Sequence, residues 1–280
     1  MCIVVFKTFS DPTSKYKLVV AANRDEYYAR PSKAASFVDE NLICGLDMQP
    51  GVEGGTWLGA NTNGKVAFLT NILVKKTDPD KSARGRIVRD YLESDCDQTE
   101  YIENYLAGKN HRMFNFVGMS LDDSGRFLAS YYGKSEKDEG VILRGDCAHV
   151  VACTSLENKW KKKQRVHELF EKSLAVEKNP SETCHVLFNE VLSDSTSFHP
   201  DQSILSQAPS GFSEHFLYHY SSVCINNVES YGTRTQTVIL VDQNDKVYFS
   251  ERNRDNHLGE WKTVVLEYEL KNQKLKKTIN

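Results

Sequence analysis

Strand-like runs and pairs of amphipathic helices alternate in blocks along these 280 residues, and that order constrains the architecture more than any single motif. The first third reads as β-structure. Residues 2–9 and 17–22 are β-rich runs separated by Ser10-Asp11-Pro12-Thr13-Ser14, a stretch with strong turn chemistry. The pattern continues at 42–46, 56–58 and 65–72, broken by Gly51, Gly54-Gly55 and Asn61-Thr62-Asn63-Gly64. Two helices follow. The 3.6-residue period predicts that 83–94 buries Ile87, Val88, Tyr91 and Leu92, and that 98–107 buries Tyr101, Ile102, Tyr105 and Leu106. Asp97 is a suitable N-cap for the second, with Glu100 three residues on and Gly108 just past its end.

Strands return at 115–121, 127–132, 141–143 and 149–153, the first two joined by an Asp122-Asp123-Ser124-Gly125 turn. A second helical pair covers 160–174 and 182–193 through Asn179-Pro180-Ser181, and 196–215 reads as a long polar loop. The last block is β again, at 222–227, 235–241, 246–250 and 263–268. No repeat or linker divides the chain, so one domain spanning 1–280 is expected. Its fold class is α+β, with helices covering stacked sheets.

Composition excludes several functions. A net charge of −3 and a pI near 6.3 give no basic field for nucleic acid or an anionic membrane. The one dense basic stretch, 159–165, opens a helical pattern and reads as a solvated face. Seven scattered cysteines with no CxxC pair argue for a reducing compartment and against a disulfide framework or a zinc site. No apolar run is long enough to span a membrane. Residues 1–9 carry one Lys and no Arg and read as a strand, so no cleavable targeting segment is expected and the expected location is the cytoplasm.

Cys2 follows the initiator methionine directly. Methionine is normally trimmed before so small a residue, which would place a thiol beside a free α-amine. An α-amine has a reference pKa of roughly 7.7–8.0 and can serve as general base for its own thiol. The alternative is a small residue that merely begins a buried strand. The second strand empties into Asn23-Arg24-Asp25-Glu26, and antiparallel pairing of the first two strands sets that cluster beside Cys2. There Arg24 would favour thiolate and Asp25 could orient the amine. Trp57, in Gly54-Gly55-Thr56-Trp57-Leu58-Gly59, either walls a pocket or belongs to the core. Asn71 ends a strand and could donate to an oxyanion. Arg234, in Tyr231-Gly232-Thr233-Arg234, is either a structural partner or a second cation for the thiolate.

Met1-Cys2, Asn23-Arg24-Asp25-Glu26, Gly54-Gly55-Thr56-Trp57-Leu58-Gly59, Leu69-Thr70-Asn71, Ser82-Ala83-Arg84-Gly85 and Tyr231-Gly232-Thr233-Arg234 occur in the order of the NRDE family, also called the transport and Golgi organization protein 2 family. The chain resembles that family over essentially its whole length. The resemblance implies a four-layer αββα sandwich of the N-terminal-nucleophile hydrolase type. By the same resemblance Cys2 takes the nucleophile position, Arg24 and Asp25 adjoin it, Asn71 is an oxyanion donor and Arg234 is the late arginine. One departure stands out: Ala152-Cys153 replaces a Ser-Asn pair that would supply a second asparagine. Losing one such donor costs roughly 3–4 kcal/mol of transition-state stabilisation.

The functions implied are haem trafficking first, with links to Golgi organisation and lipid metabolism, and Cys2-dependent hydrolysis of an amide or acyl thioester second. No cofactor is required, and haem enters as a transported ligand. Asn23, Glu26, Trp57 and Arg84 are the candidate ligand contacts beside the catalytic set. The expected partners are a small hydrophobic ligand (haem or an acyl group) and transient contacts with an organelle membrane or a haem acceptor, with mitochondria among those organelles. No Cys-Pro or Cys-x-x-Cys-His signature is present, and His167 and His185 read as solvent-facing.

Overall fold

The computed structural model describes residues 2–75, 84–134, 139–226, 228–255 and 259–271. Met1 and the Ser82-Ala83 half of one motif lie outside the described residues, as do the first residue of the predicted helix 83–94 and the last of the predicted strand 222–227.

Two antiparallel sheets stack face to face. The first runs in the order β10 (His149–Val151), β1 (Cys2–Thr8), β2 (Tyr16–Tyr27), β11 (Tyr231–Asp242), β12 (Lys246–Arg254) and β13 (Trp261–Glu269). The second runs β3 (Ser32–Phe37), β4 (Leu42–Asp47), β5 (Leu58–Asn61), β6 (Val66–Asn71), β7 (Phe114–Leu121), β8 (Phe127–Lys134) and β9 (Glu139–Leu143). Period-two alternation sorts each strand's side chains between two faces. Val4, Phe6, Leu18, Val20, Ile239 and Phe249 meet Ile43, Leu58, Phe68, Val117 and Met119 in the core between the sheets.

The opposite faces are covered by helices. Ile3, Val5, Val19 and Val238 pack under α3 (Lys161–Leu174), α4 (Pro180–Val186), α5 (Gln202–Leu205) and α6 (Glu214–Tyr220). On the far side, Cys44, Ala67 and Phe116 pack under α1 (Ile87–Glu93) and α2 (Gln98–Tyr101), the latter continuing as a wider π-helical turn over Ile102–Leu106. The layers are therefore α, β, β and α, as the family resemblance implies.

Several local expectations hold in detail. Ile87, Val88, Tyr91 and Leu92 are buried on α1, Asp97 caps α2 by accepting from Thr99 N and Glu100 N, and Gly108 takes a positive φ. Others need correction. Tyr105 is 52% exposed, because the π-helical turn rotates it off the face that Tyr101 and Leu106 share. Residues 196–215 hold the short helix α5 and the start of α6. No strand forms over the described part of 222–227, where Val223 and Ile225 instead plug the helical layer. β3 escapes the pattern because Ala35 is its one buried apolar residue.

The basic stretch at the head of α3 is solvated only in part: Lys159 and Lys161 are exposed, but the two lysines that follow Lys161 are buried. Lys162 is 3% exposed and donates to Tyr220 O at 2.6 Å, with its ammonium over the Tyr220 ring. Lys163 is buried and caps the carbonyls of Leu156 and Asn158 at 2.7 and 2.9 Å. Burial holds its amine down at about 8. Aliphatic stems suit such positions when the ammonium finds carbonyl partners.

The core between the sheets makes a direct prediction. Phe68 is fully buried and packs edge-on against Phe6 across that core. Phe68→Ala should cost about 3–5 kcal/mol of stability, read as a lowered denaturant midpoint with an unchanged slope.

Candidate active site

The register of β1 on β2 sets Cys2 opposite Arg24, and that of β2 on β11 sets Arg24 opposite Thr235. Asn23-Arg24-Asp25-Glu26 therefore lies inside β2 rather than beyond its end. β2 is longer than its apolar run suggests because β11 keeps pairing with it as far as Tyr231↔Tyr27. Alternation then splits the cluster. Arg24 shares a face with Ala22 and Val20, toward the other sheet, while Asn23 and Asp25 share the face covered by helices.

A cleft of about 230 Å³ opens at this end of the sandwich. Cys2, Arg24, Asp25, Glu26, Trp57, Asn71 and Arg84 all line it, so seven of the nine sequence-derived candidates converge. Cys2 is half-buried. In the chain that keeps Met1, burial pushes its thiol up to about 12, with Cys153 and Asp25 adding to the rise. Asp25 is 2% exposed and accepts from Thr233 Oγ1 at 2.7 Å. Burial raises its carboxyl, opposed in part by Lys162.

Trp57 resolves its two readings by doing both. Its ring packs against the core between the sheets, and the Arg24 guanidinium lies 4.1 Å from the ring centroid. A side chain at Gly45 would collide with the indole, so that glycine makes the ring's seat. Gly55 has an equally local reason: a Cβ there would stand 2.6 Å from Gly85 O, which accepts from Thr56 N at 3.0 Å. The Trp57 segment and the Arg84 segment thus touch backbone to backbone.

Two candidates lie outside the cleft lining. Asn23 turns its amide into the helical layer and donates to Leu192 O at 2.9 Å and Val223 O at 3.0 Å. Arg234 sits at a β-bulge between Thr233 and Thr235, and its Nη1 donates to Tyr27 O at 2.9 Å and to Arg30 O. It braces the segment that carries Arg30 through backbone carbonyls.

Sequence reasoning missed three contributors. Cys153, at the departure from the Ser-Asn pattern, accepts from Cys2 N at 3.1 Å and donates to Cys2 O at 3.3 Å. Asn115 fixes that segment, donating to Ala152 O at 2.8 Å and Thr154 O at 2.9 Å while accepting from Tyr131 OH. Arg112 lines the cleft mouth with no motif to flag it. Among the described residues no cluster of metal-binding side chains occurs, and no helix is long and apolar enough to cross a membrane.

Two stacked sheets between helical layers, with Cys2 at a cleft where the sheets end, make this an αββα sandwich with a candidate active site at one end. The chain belongs to the Transport and Golgi organisation 2 family, whose model matches residues 1–256. It is 37% identical to the Transport and Golgi organization 2 homolog of Mus musculus and 36% identical to that of Homo sapiens, each alignment covering 96% of this chain and 99% of the relative. The Drosophila melanogaster protein is 29% identical, with 97% and 99% covered. Two variant structures of conjugated bile acid hydrolase from Clostridium perfringens align over 96% of this chain and 97% of theirs, at 10% and 9% identity and TM-scores of 0.45 and 0.48.

The raised Asp25 carboxyl predicts a signed pH effect. A folded-state value above the unfolded one means the native state holds the proton more tightly, so this residue's contribution falls as pH rises through the carboxylate range. Asp25→Asn should therefore raise the thermal midpoint at pH 7, by an amount that shrinks toward pH 4 in a melting series.

Proposed function

We propose that the cleft is the working site of a Cys2-dependent hydrolase for small amides or acyl thioesters. The observation that carries this reading is the pairing of Cys2 with Arg24 in a cleft that Asp25 and Asn71 also line. Removal of Met1 is the activating step. It converts Cys2 N from an amide, which cannot take a proton, into an amine that can. That nitrogen stands 3.1 Å from Cys153 Sγ, which helps to orient it.

In the reaction the amine takes the thiol proton, and the sulfur attacks the carbonyl carbon. Asn71 donates to the developing oxyanion, and Arg24 offsets the growing negative charge. The ammonium then protonates the leaving amine or thiol as its bond to carbon breaks, leaving an acyl thioester on Cys2. A water molecule, deprotonated by the same amine, releases the carboxylic acid and restores the thiol.

Cys153 limits this chemistry. Its S–H points to Cys2 O, so it supplies no amide donor where the family pattern has an asparagine. Cys2→Ala should abolish both turnover and covalent labelling by acylating probes, followed by intact mass. Absence of any adduct on a chain whose terminus is proven to be free cysteine would sink the reading. Cys153→Asn should raise turnover, by up to about a hundredfold if the amide reaches the oxyanion.

Haem carriage is a second reading, favoured by the indole wall beside Arg24 and by Arg84 and Arg112 at the mouth. The cleft must widen to enclose a porphyrin, since about 230 Å³ is below the roughly 300–1,000 Å³ of pockets that bury drug-sized ligands. Haem titration of the apoprotein should give a saturable absorbance change that Arg24→Ala weakens. Uptake no better than by an unrelated protein of similar surface hydrophobicity would remove this reading.

A further inference from the structure

The charges around the cleft do not balance locally. Arg30 is satisfied: it forks onto Asp47, with Nη2 2.6 Å and Nε 3.0 Å from Oδ2, and Glu26 stands 3.8 Å away. Both of those acids are thereby engaged. Asp25 is held toward its neutral form by burial, and so is Glu251, which lies behind Arg24 outside the cleft lining and is held by Ala35 N and Asn253.

Three guanidinium groups remain. Arg24 is 5% exposed, its face is covered by Trp57, and its Nη1 is buried with no hydrogen-bond partner among the described residues. Arg84 donates to Met113 O at 2.6 Å. Burial, and then the neighbouring charge of Arg112, push its guanidinium down to about 10. Arg112 stands next to Met113 and lines the same cleft. None of the three has a carboxylate partner within 4.0 Å among the described residues.

Gathering like charges and drying one of them is unfavourable unless an anion completes the set. Guanidinium forks match the planar two-oxygen edge of a carboxylate and the oxygens of a phosphate. We infer that Arg24, Arg84 and Arg112 form an oxyanion-binding subsite, so that the small molecule taken by this cleft carries a carboxylate or phosphate group. The inference rests on the reading above only in taking the cleft as the place where substrate binds. It names the part of the substrate that is held, as distinct from the bond that is cut.

The arrangement also gives a reason for the position of Trp57. An indole against Arg24 shields one face of the guanidinium and leaves its edge for the ligand. The substrate's apolar portion then has Trp57, Leu69 and Val52 to lie against.

The test is direct binding to the mature protein, with butyrate, inorganic phosphate and neutral butyramide as probes, read by calorimetry and by Trp fluorescence. Saturable binding of butyrate or phosphate, and none of butyramide, is the expected result. The preferred probe tells a carboxylate substrate from a phosphate ester. Arg112→Ala, at an exposed site that should not disturb folding, should weaken binding roughly tenfold to a hundredfold, as expected for the loss of charge-assisted hydrogen bonds. Arg112→Glu should abolish it. Equal binding of butyrate and butyramide, or affinities unchanged by both Arg112 substitutions, would overturn the inference. Repeating the titration with Cys2→Ala separates the two ideas. Anion binding that persists without Cys2 chemistry upholds the subsite alone, and hydrolysis without anion binding upholds the hydrolase alone.

Discussion

The site depends on one set of backbone ladders: β2 held between β1 and β11. Pairing on both sides fixes Cys2, Arg24 and Thr235 in a row across three strands. A guanidinium buried there is costly on its own, and an isolated strand end could swing it out to water. Hydrogen bonds on both edges prevent that. Behind Arg24, Glu251 lies between the sheets, accepts from Ala35 N at 2.7 Å and Asn253 Nδ2 at 2.8 Å, and is raised by its own burial. The apolar packing between the sheets thus gives way to a polar region where the cleft begins.

The two faces of β2 divide the labour. Arg24, on the face toward the other sheet, meets Trp57 and the cleft. Asn23, on the other face, ties the strand to Leu192 O and Val223 O in the helical layer. Asp25 shares that face, where Thr233 holds its carboxylate, yet the residue also borders the cleft. Four consecutive polar residues therefore serve as anchor, cation, acid and rim, because each successive side chain points the opposite way.

Much of this was legible in the sequence. Apolar periodicity located most strands and the buried face of α1. The first hairpin alone predicted that Cys2 would adjoin Arg24, since antiparallel pairing brings the start of one strand to the end of the next. What could not be read depended on long-range packing. Lys162 and Lys163 look solvated until Tyr220 and the 155–158 segment supply carbonyls for them. The amide of Asn23 looked like part of a reactive cluster because sequence does not show which side of the strand it takes. Arg112 sits on a connection with no motif around it, and the contact between Arg84 and Met113 O shows how that connection meets the cleft.

The irregularity at Arg234 has a larger consequence than its single residue suggests. Thr235 stands opposite Arg24, so unbroken counting would put residue 234 opposite Asp25, on the same side of the sheet. A guanidinium would then stand beside the deeply buried Asp25 carboxylate. The extra residue shifts the count by one and hands that place to Thr233, a hydroxyl that binds the acid without cancelling its charge. An insertion in the backbone ladder thereby gives Asp25 a hydroxyl rather than a cation from this strand, and leaves the arginine to brace the neighbouring turn.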